Sequence, residues 1–257
     1  MKLTQRNYFS KKANKEFMSV SQFKSFSKCE NSALAEIKGK YKREKTTALL
    51  VGSYVDSYFE GTLNKFKKEN PEIFKKDGTL KADYIQAEAI IQRILKDKLF
   101  TKYLSGEKQA IMTGEICGVP VKIKIDSYFP GEKIVDLKIM KDFDSVYDGE
   151  SGSQVWFEAW GYDLQGAVYQ EIVRQNTGLK LPFYLAAATK EKVTDIDIVH
   201  LPQEMLDFAL ERFKQDVERF DAIKKGIIKP ERCEKCEYCK ISKVLKEPTE
   251  ADEYYFL

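Results

Sequence analysis

The stretch GVPVKIKIDSYFPGEKIVDLKIM, residues 118–140, decides the fold. Val121, Ile123 and Ile125 alternate with Lys122, Lys124 and Asp126, the period of two that marks a strand with one dry and one charged face. Pro130-Gly131 supplies a turn, and the next apolar run, KIVDLKIM, reads as the returning strand of a hairpin. Residues just before Gly118 add one more strand. Within the second run Asp136 and Lys138 lie two apart and share a face, while Val135, Leu137 and Ile139 face the core. Taken alone, the pair is the solvent face of an edge strand. The hairpin, however, brings Asp126 close to Asp136. Two adjacent carboxylates repel unless a cation lies between them, and Mg²⁺ or Mn²⁺ suits such oxygen donors.

Downstream, the Gly/Ser-rich loop DGESGSQ leads into VWFEAWGYDLQGAVYQEIVRQNTG, which reads as one long helix ending at Gly178. Glu158, Tyr162, Gln165 and Tyr169 fall on one face of it, a stripe suited to a polar site or to an interfacial helix with tyrosine hydroxyls at its edge. LPFYLAAATK and KVTDIDIVHLP read as strands, and QEMLDFALERFKQDVERFDAIKKG as an amphipathic helix. Upstream, SVSQFKSFSKCENSALAEIKGK reads as one helix capped by Ser19 or Ser21. TTALLVGSYVDSYFEG is an apolar segment with Gly52 at a close-packing point and Asp56 and Glu60 at i, i+4. Residues 61–82 are polar with a turn at Asp77-Gly78, and ADYIQAEAIIQRILKDKLFTKYL reads as an amphipathic helix. The order indicates an α/β (α+β) architecture with a central mixed β-sheet flanked by helices.

With 257 residues, 43% of them hydrophobic, the chain can bury a large core in one domain. No apolar run reaches the roughly 20 residues of a membrane helix, and the N-terminus lacks the apolar centre of a secretory signal, so a soluble cytoplasmic protein is expected. The net charge of +3 is unevenly spread: residues 1–48 hold 12 Lys/Arg against 4 Asp/Glu. Lys38, Lys40, Lys42, Arg43 and Lys45 crowd around Tyr41. They suit a nucleic-acid phosphate patch or, equally, a solvated loop. The tail PTEADEYYFL reads as a packed terminus or a partner peptide.

Asp126, nine residues, Asp136-Leu137-Lys138, then Gln165-Gly-Ala-Val-Tyr169 resembles the D…(D/E)XK…QxxxY signature of the PD-(D/E)XK nuclease superfamily. The resemblance is to its RecB-like branch, which includes CRISPR-adaptation nucleases, and above all to phage RecE-like exodeoxyribonucleases. It runs from about residue 19 to residue 241. It implies a restriction-endonuclease-like core in a single nuclease domain over 1–257, with a helical insertion at about 61–105 and the segment 230–241 packing back on the N-terminal helix. It implies a Mg²⁺- or Mn²⁺-dependent exonuclease that resects DNA ends for phage-type recombination in a bacterial or phage-infected cytoplasm. The partners it implies are duplex DNA ends, a single-strand annealing protein and further copies of the chain in a ring. Asp126, Asp136 and the Leu137 carbonyl would be metal ligands. Lys138 would orient or deprotonate the attacking water, and Gln165 and Tyr169 would position the scissile strand or Lys138. The family's GxxxH element stands here as Gly52-Ser-Tyr-Val-Asp56, which makes Asp56 a further ligand. The lone histidine, His200, reads as a strand residue. A non-catalytic nucleic-acid-binding module is the reading from another class.

Five cysteines, an odd number, do not form a disulfide framework. Cys233, Cys236 and Cys239 follow C-x2-C-x2-C, a spacing seen in iron–sulfur ligation, with Cys29 as the candidate fourth thiolate and Cys117 read as a buried or strand-edge thiol. The nuclease resemblance implies a structural [4Fe-4S] cluster. Zinc held by four thiolates and unligated thiols are the alternatives.

Overall fold

In the computed structural model Cys117 and Gly118 have φ values of 49° and 69°, the two left-handed residues of a tight hairpin turn. The structure describes residues 1–149, 152–245, 247, 248, 250 and 251. Part of the Gly/Ser-rich loop and most of the C-terminal tail singled out above lie outside the described residues.

Along the chain, α1 (Lys11–Glu16) is followed by α2 (Val20–Lys28) and α3 (Glu30–Ile37), then α4 (Thr47–Phe59), α5 (Leu63–Glu69), α6 (Ala82–Leu95) and α7 (Lys98–Tyr103). The strands β1 (Glu107–Ile116), β2 (Val119–Phe129) and β3 (Lys133–Met140) follow, then the short β4 (Val146–Asp148) and β5 (Gly152–Gln154). Next come α8 (Trp156–Ala159), α9 (Tyr162–Thr177), β6 (Phe183–Thr189), β7 (Ile196–Leu201), α10 (Gln203–Lys225) and α11 (Glu237–Ile241). Among the described residues no helix is long and apolar enough to cross a membrane.

The main sheet has the order β1-β2-β3-β6-β7, the expected mixed sheet. β1, β2 and β3 form an antiparallel meander, β6 runs parallel to β3, and β7 returns antiparallel to β6. A parallel pair needs a crossover, which here is made through α9. Gly166 lets that helix approach: a Cβ there would lie 2.7 Å from Phe183 Cδ1 and 3.0 Å from Leu206 Cδ2.

Both faces of the sheet are covered. Ile123, Ile125, Ile134, Phe183 and Leu185 pack into one core with α2, α9 and α10, whereas Val135, Leu137, Ala186 and Ala188 pack into a second with α4 and α6. In the first core Phe23 of α2 stacks on Phe213 of α10 at 4.4 Å and Phe26 on Phe220 at 5.3 Å. Each such ring contributes on the order of 2–3 kcal/mol by leaving water. Burial on both sides corrects the picture of a wet strand face, for Asp136 is only 1% exposed.

Four segments depart from their sequence reading. The helix expected over residues 19–40 breaks at Cys29, whose φ of −168° is extended, and Ser19 caps only its first half. The helix expected from Val155 to Gly178 breaks at Gly161, with φ 62°, so Glu158 sits on α8 and leaves the stripe of Tyr162, Gln165 and Tyr169. The helix expected over residues 82–104 divides at Lys96–Asp97, where the Asp97 side chain caps α7. Gly52 is no close-packing point, because a Cβ built there would have nothing within 4 Å.

Candidate active site

The β2–β3 ladder pairs Phe129 with Lys133, Tyr128 with Ile134 and Ser127 with Val135, and then stops. The next rung would be Asp126 opposite Asp136. Instead, Asp126 Oδ2 accepts the Leu137 backbone N–H at 3.0 Å. Beyond the break, β2 bridges in parallel to Met18, with Met18 N–H donating to the Pro120 carbonyl at 2.8 Å and Lys122 N–H to the Met18 carbonyl at 2.9 Å. The two strands thus fork, and the expected site residues line the opening.

Asp136 is held on both oxygens: Gln165 Nε2 donates to Oδ1 at 2.6 Å, and the Lys138 ammonium pairs with Oδ2. Lys138 Nζ also lies 4.7 Å from the centre of the Tyr162 ring. Lys24 of α2 approaches the same ring at 5.1 Å and donates to the Trp160 carbonyl at 2.6 Å. Tyr169 is buried, and its hydroxyl donates to the Lys124 carbonyl on β2 at 3.1 Å, where it ties α9 to β2. Asp56 comes from α4, one turn before Glu60. A pocket of about 10 Å³, the size of one water, is lined by Asp56, Glu60, Gln109, Asp126 and Leu137, together with Phe59, Leu104 and Lys108.

Burial and mutual repulsion dominate the electrostatics. Burial pushes the Asp136 carboxyl up to about 7, against the pull of Lys138 and with Asp126 adding to the rise. The Asp56 carboxyl is raised well above the usual range by burial and then by Asp126. Burial pulls Lys138 downward, but Asp136, Tyr162 and Asp126 outweigh it and hold the ammonium above its ordinary value. Burial, then Lys138, brings Lys24 down to about 8. Crowded carboxyls of this kind are the donor set of a hard divalent cation, so the residues fit Mg²⁺ or Mn²⁺. Their ligand atoms are more open than those of the cysteine group, the one group among the described residues whose atoms all lie within 4.8 Å of one another.

The extended backbone at Cys29 turns that thiol toward the late cysteines. Cys29 Sγ lies 3.6 Å from Cys239 Sγ, and Cys29, Cys233, Cys236 and Cys239 form the compact group. The Cys236 N–H donates to Cys233 Sγ at 3.3 Å and the Cys239 N–H to Cys236 Sγ at 3.4 Å. Backbone N–H groups of Cys236 and Lys235 bring the Cys233 thiol down to about 6, whereas burial pushes Cys236 up to about 12. Glu30 braces the join, accepting from Arg219 at 2.7 Å and from the Glu231 N–H at 2.7 Å. Cys117, expected to be buried or at a strand edge, is exposed at the hairpin turn.

Lys38, Lys40, Lys42, Arg43 and Lys45 lie on an exposed segment between α3 and α4. Arg43 pairs with Glu36 at 2.9 Å, and Lys45 reaches Asn70 Oδ1 at 3.5 Å. His200 lies on β7 against Tyr184, with ring centres 4.9 Å apart. Two site residues escaped the sequence reading. Lys24 was hidden on a helix read only for its apolar positions, and Gln109 carries no motif signal.

A model of the family described as a PDDEXK-like domain of unknown function (DUF3799) matches residues 19–242. Among solved structures, a "putative exonuclease" from Eubacterium rectale superposes with a TM-score of 0.95 at 50% sequence identity, over 99% of this chain and 98% of that one. The structure of SSO0001 aligns over 79% of this chain and 87% of its own, at 10% identity and a TM-score of 0.31. A search of curated proteins finds no match. The family model spans most of the chain and the sheet is the mixed, helix-flanked one it requires, so this chain belongs to the PDDEXK-like DUF3799 family.

Proposed function

We propose that the protein is a Mg²⁺- or Mn²⁺-dependent DNA exonuclease of the RecE-like kind. The carrying observation is the fork where Asp126 takes the Leu137 N–H while Asp136 is gripped by Gln165 and Lys138. Membership of a PDDEXK-like family and half-identity to a chain described as a putative exonuclease support a nuclease.

Asp56, Asp126, Asp136 and the Leu137 carbonyl would hold the cation. When bound, it supplies a water activated for attack and neutralises charge on the phosphate. The chain's own residues do the rest. Lys138, kept protonated by its surroundings, offers an N–H to the attacking water or to a phosphate oxygen as negative charge builds. Gln165 fixes the orientation of Asp136 and Tyr169 fixes the helix that carries Gln165, so the reacting groups need little rearrangement. The basic segment from Lys38 to Lys45 would neutralise phosphates of the DNA backbone. Resection of duplex ends for recombination, with a single-strand annealing protein as partner and a ring of copies giving processivity, is the biological setting this reading entails.

The four thiolates form a separate structural site. Zn–S bonds of about 2.3 Å place tetrahedral thiolates about 3.8 Å apart, close to the 3.6 Å between Cys29 and Cys239. A four-iron cluster spreads its ligands wider. The spacing therefore favours one zinc ion over a cluster, as a staple between the two ends of the fold. Elemental analysis should find one zinc per chain and no iron; brown, iron- and sulfide-containing protein after anaerobic purification would reverse the choice.

The nuclease reading is tested with linear duplex DNA. Mg²⁺ or Mn²⁺ should start nucleotide release, and covalently closed circles should stay intact. Full activity in Asp136→Ala, or salt-sensitive binding with no cleavage by the parent, would overturn it.

A further inference from the structure

Gln109 sits in β1 with φ 54°, the left-handed region that side chains other than glycine adopt at a cost. It stands opposite Asp126, at the one interruption in a β1–β2 register that otherwise runs from Glu107↔Tyr128 to Ile116↔Val119. The apolar alternation of β2 also slips here, since Ile125 and Tyr128 enter the same core. A distortion near the open end of the edge hairpin has to be held by something, and the Gln5 side chain clamps it by donating to the Gln109 carbonyl at 2.6 Å.

The distortion turns the side chain inward. Gln109 is 8% exposed and lines the same small pocket as Asp56, Asp126 and Leu137. Its Nε2 donates to Asp126 Oδ1 at 3.1 Å, which settles the orientation of the amide, because the flipped form would set oxygen against a carboxylate. The other end, Oε1, is buried without a hydrogen-bond partner. A buried amide oxygen left unpaired is unfavourable. In a pocket walled by carboxylates, its natural partner is a cation.

We propose that Gln109 Oε1 is an oxygen donor of the catalytic cation site, coordinating the divalent ion or accepting a hydrogen bond from one of its bound waters, while Nε2 of the same amide locks Asp126. A neutral carboxamide is the apt donor here: it adds a hard oxygen without adding another negative charge to Asp56, Asp126 and Asp136. The inference rests on the cation-dependent reading given above and extends it to a strand outside the motif.

The test is Mn²⁺ affinity of the full-length chain, measured by calorimetry or by the spectroscopic signal of free Mn²⁺, with no DNA present. Gln109→Gly suits the backbone angle, so it should melt no lower than the parent without metal. It should nevertheless bind Mn²⁺ roughly 10- to 100-fold more weakly, the usual loss for a supporting donor. Gln109→Glu keeps an oxygen for the cation but loses the N–H to Asp126, so its loss of Mn²⁺ affinity should be clearly smaller than that of Gln109→Gly. Parent-like affinity in Gln109→Gly overturns the proposal. Equal losses in both variants also overturn it, because the side chain would then act only through Asp126. Asp136→Asn is the control: if it binds Mn²⁺ as the parent does, or the parent binds none, the cation site itself fails. Loss in Asp136→Asn alone rejects Gln109 and leaves that site standing.

Discussion

Asp126 Oδ2 accepts the Leu137 N–H at 3.0 Å, so a side chain occupies the place of the next β2–β3 rung. The bond fastens the fork and keeps a second carboxylate beside the buried Asp136. An amide at 126 can still accept this N–H. Asp126→Asn should therefore fold, with DNA cleavage down at least about a hundredfold, as for loss of one charge-stabilising group. Asp56, raised by burial and by Asp126, is the complementary case: Asp56→Asn should melt a few degrees higher than the metal-free parent while losing cleavage. Calorimetry without metal and a gel-based cleavage assay check the pair.

Lys24 and Lys138 approach one ring, that of Tyr162, at 5.1 and 4.7 Å. On the proposed function, Lys24 beside this ring would add a contact to a backbone phosphate. Lys24→Met should lower the slope of log affinity against log salt by about 0.9, the share of one phosphate contact. Binding titrations over a range of salt, in an Asp136→Asn background that cannot cut, check this. An unchanged slope would remove Lys24 from the DNA path.

Lys122 is 1% exposed, and its Nζ donates to the Tyr8 carbonyl at 2.5 Å and to Asn14 Oδ1 at 2.7 Å. Burial brings it down to about 8 from 10.5. Below pH 8 both folded and unfolded chains carry the proton. Between about 8 and 10.5 the unfolded chain binds more, so the contribution of this residue to stability rises with pH across that window. The neutral amine still has two N–H groups for its two acceptors. Urea melts at about pH 7.5 and about pH 9.5 should show the parent gaining on Lys122→Met by on the order of 1–2 kcal/mol.

Gly166 follows Gln165 and lies on the sheet-facing side of α9, where a Cβ would come within 2.7 Å of Phe183. Gly166→Ala should cost about 1–3 kcal/mol as overpacking. It should also weaken cleavage more than the melting temperature alone implies, because α9 carries both Gln165 and Tyr169. A denaturant series run alongside cleavage rates at a temperature where both proteins are folded checks both effects.

The strand pattern was legible because alternation and apolar runs are local: Val121, Ile123 and Ile125 announce β2, while KIVDLKIM, LPFYLAAAT and DIDIVHL announce β3, β6 and β7. The order of Asp126, Asp136, Lys138, Gln165 and Tyr169 was likewise legible through its resemblance to a known signature, and the fork brings Asp126, Asp136, Lys138 and Gln165 into contact. Helix breaks were not legible. Nothing near Cys29 forbids a continuous helix; the extended conformation goes with the docking of its thiol against Cys239 and of Glu30 against Arg219 and Glu231. Gly161 could equally sit inside a helix; its φ of 62° and the Trp156–Tyr162 ring contact at 6.1 Å are set by the tertiary structure.

Period, turn residues and motif order thus determined by themselves the mixed sheet, the hairpins and the identity of the principal acidic and basic side chains. The tertiary structure decided which of these are buried, where β2 and β3 part, and that Lys24 and Gln109 lie beside them. The reason is physical. Alternation and capping depend on neighbours in the chain, whereas the burial of Asp136, the shared ring of Tyr162 and the turned amide of Gln109 depend on elements brought from residues 24, 109, 126 and 165 to one place.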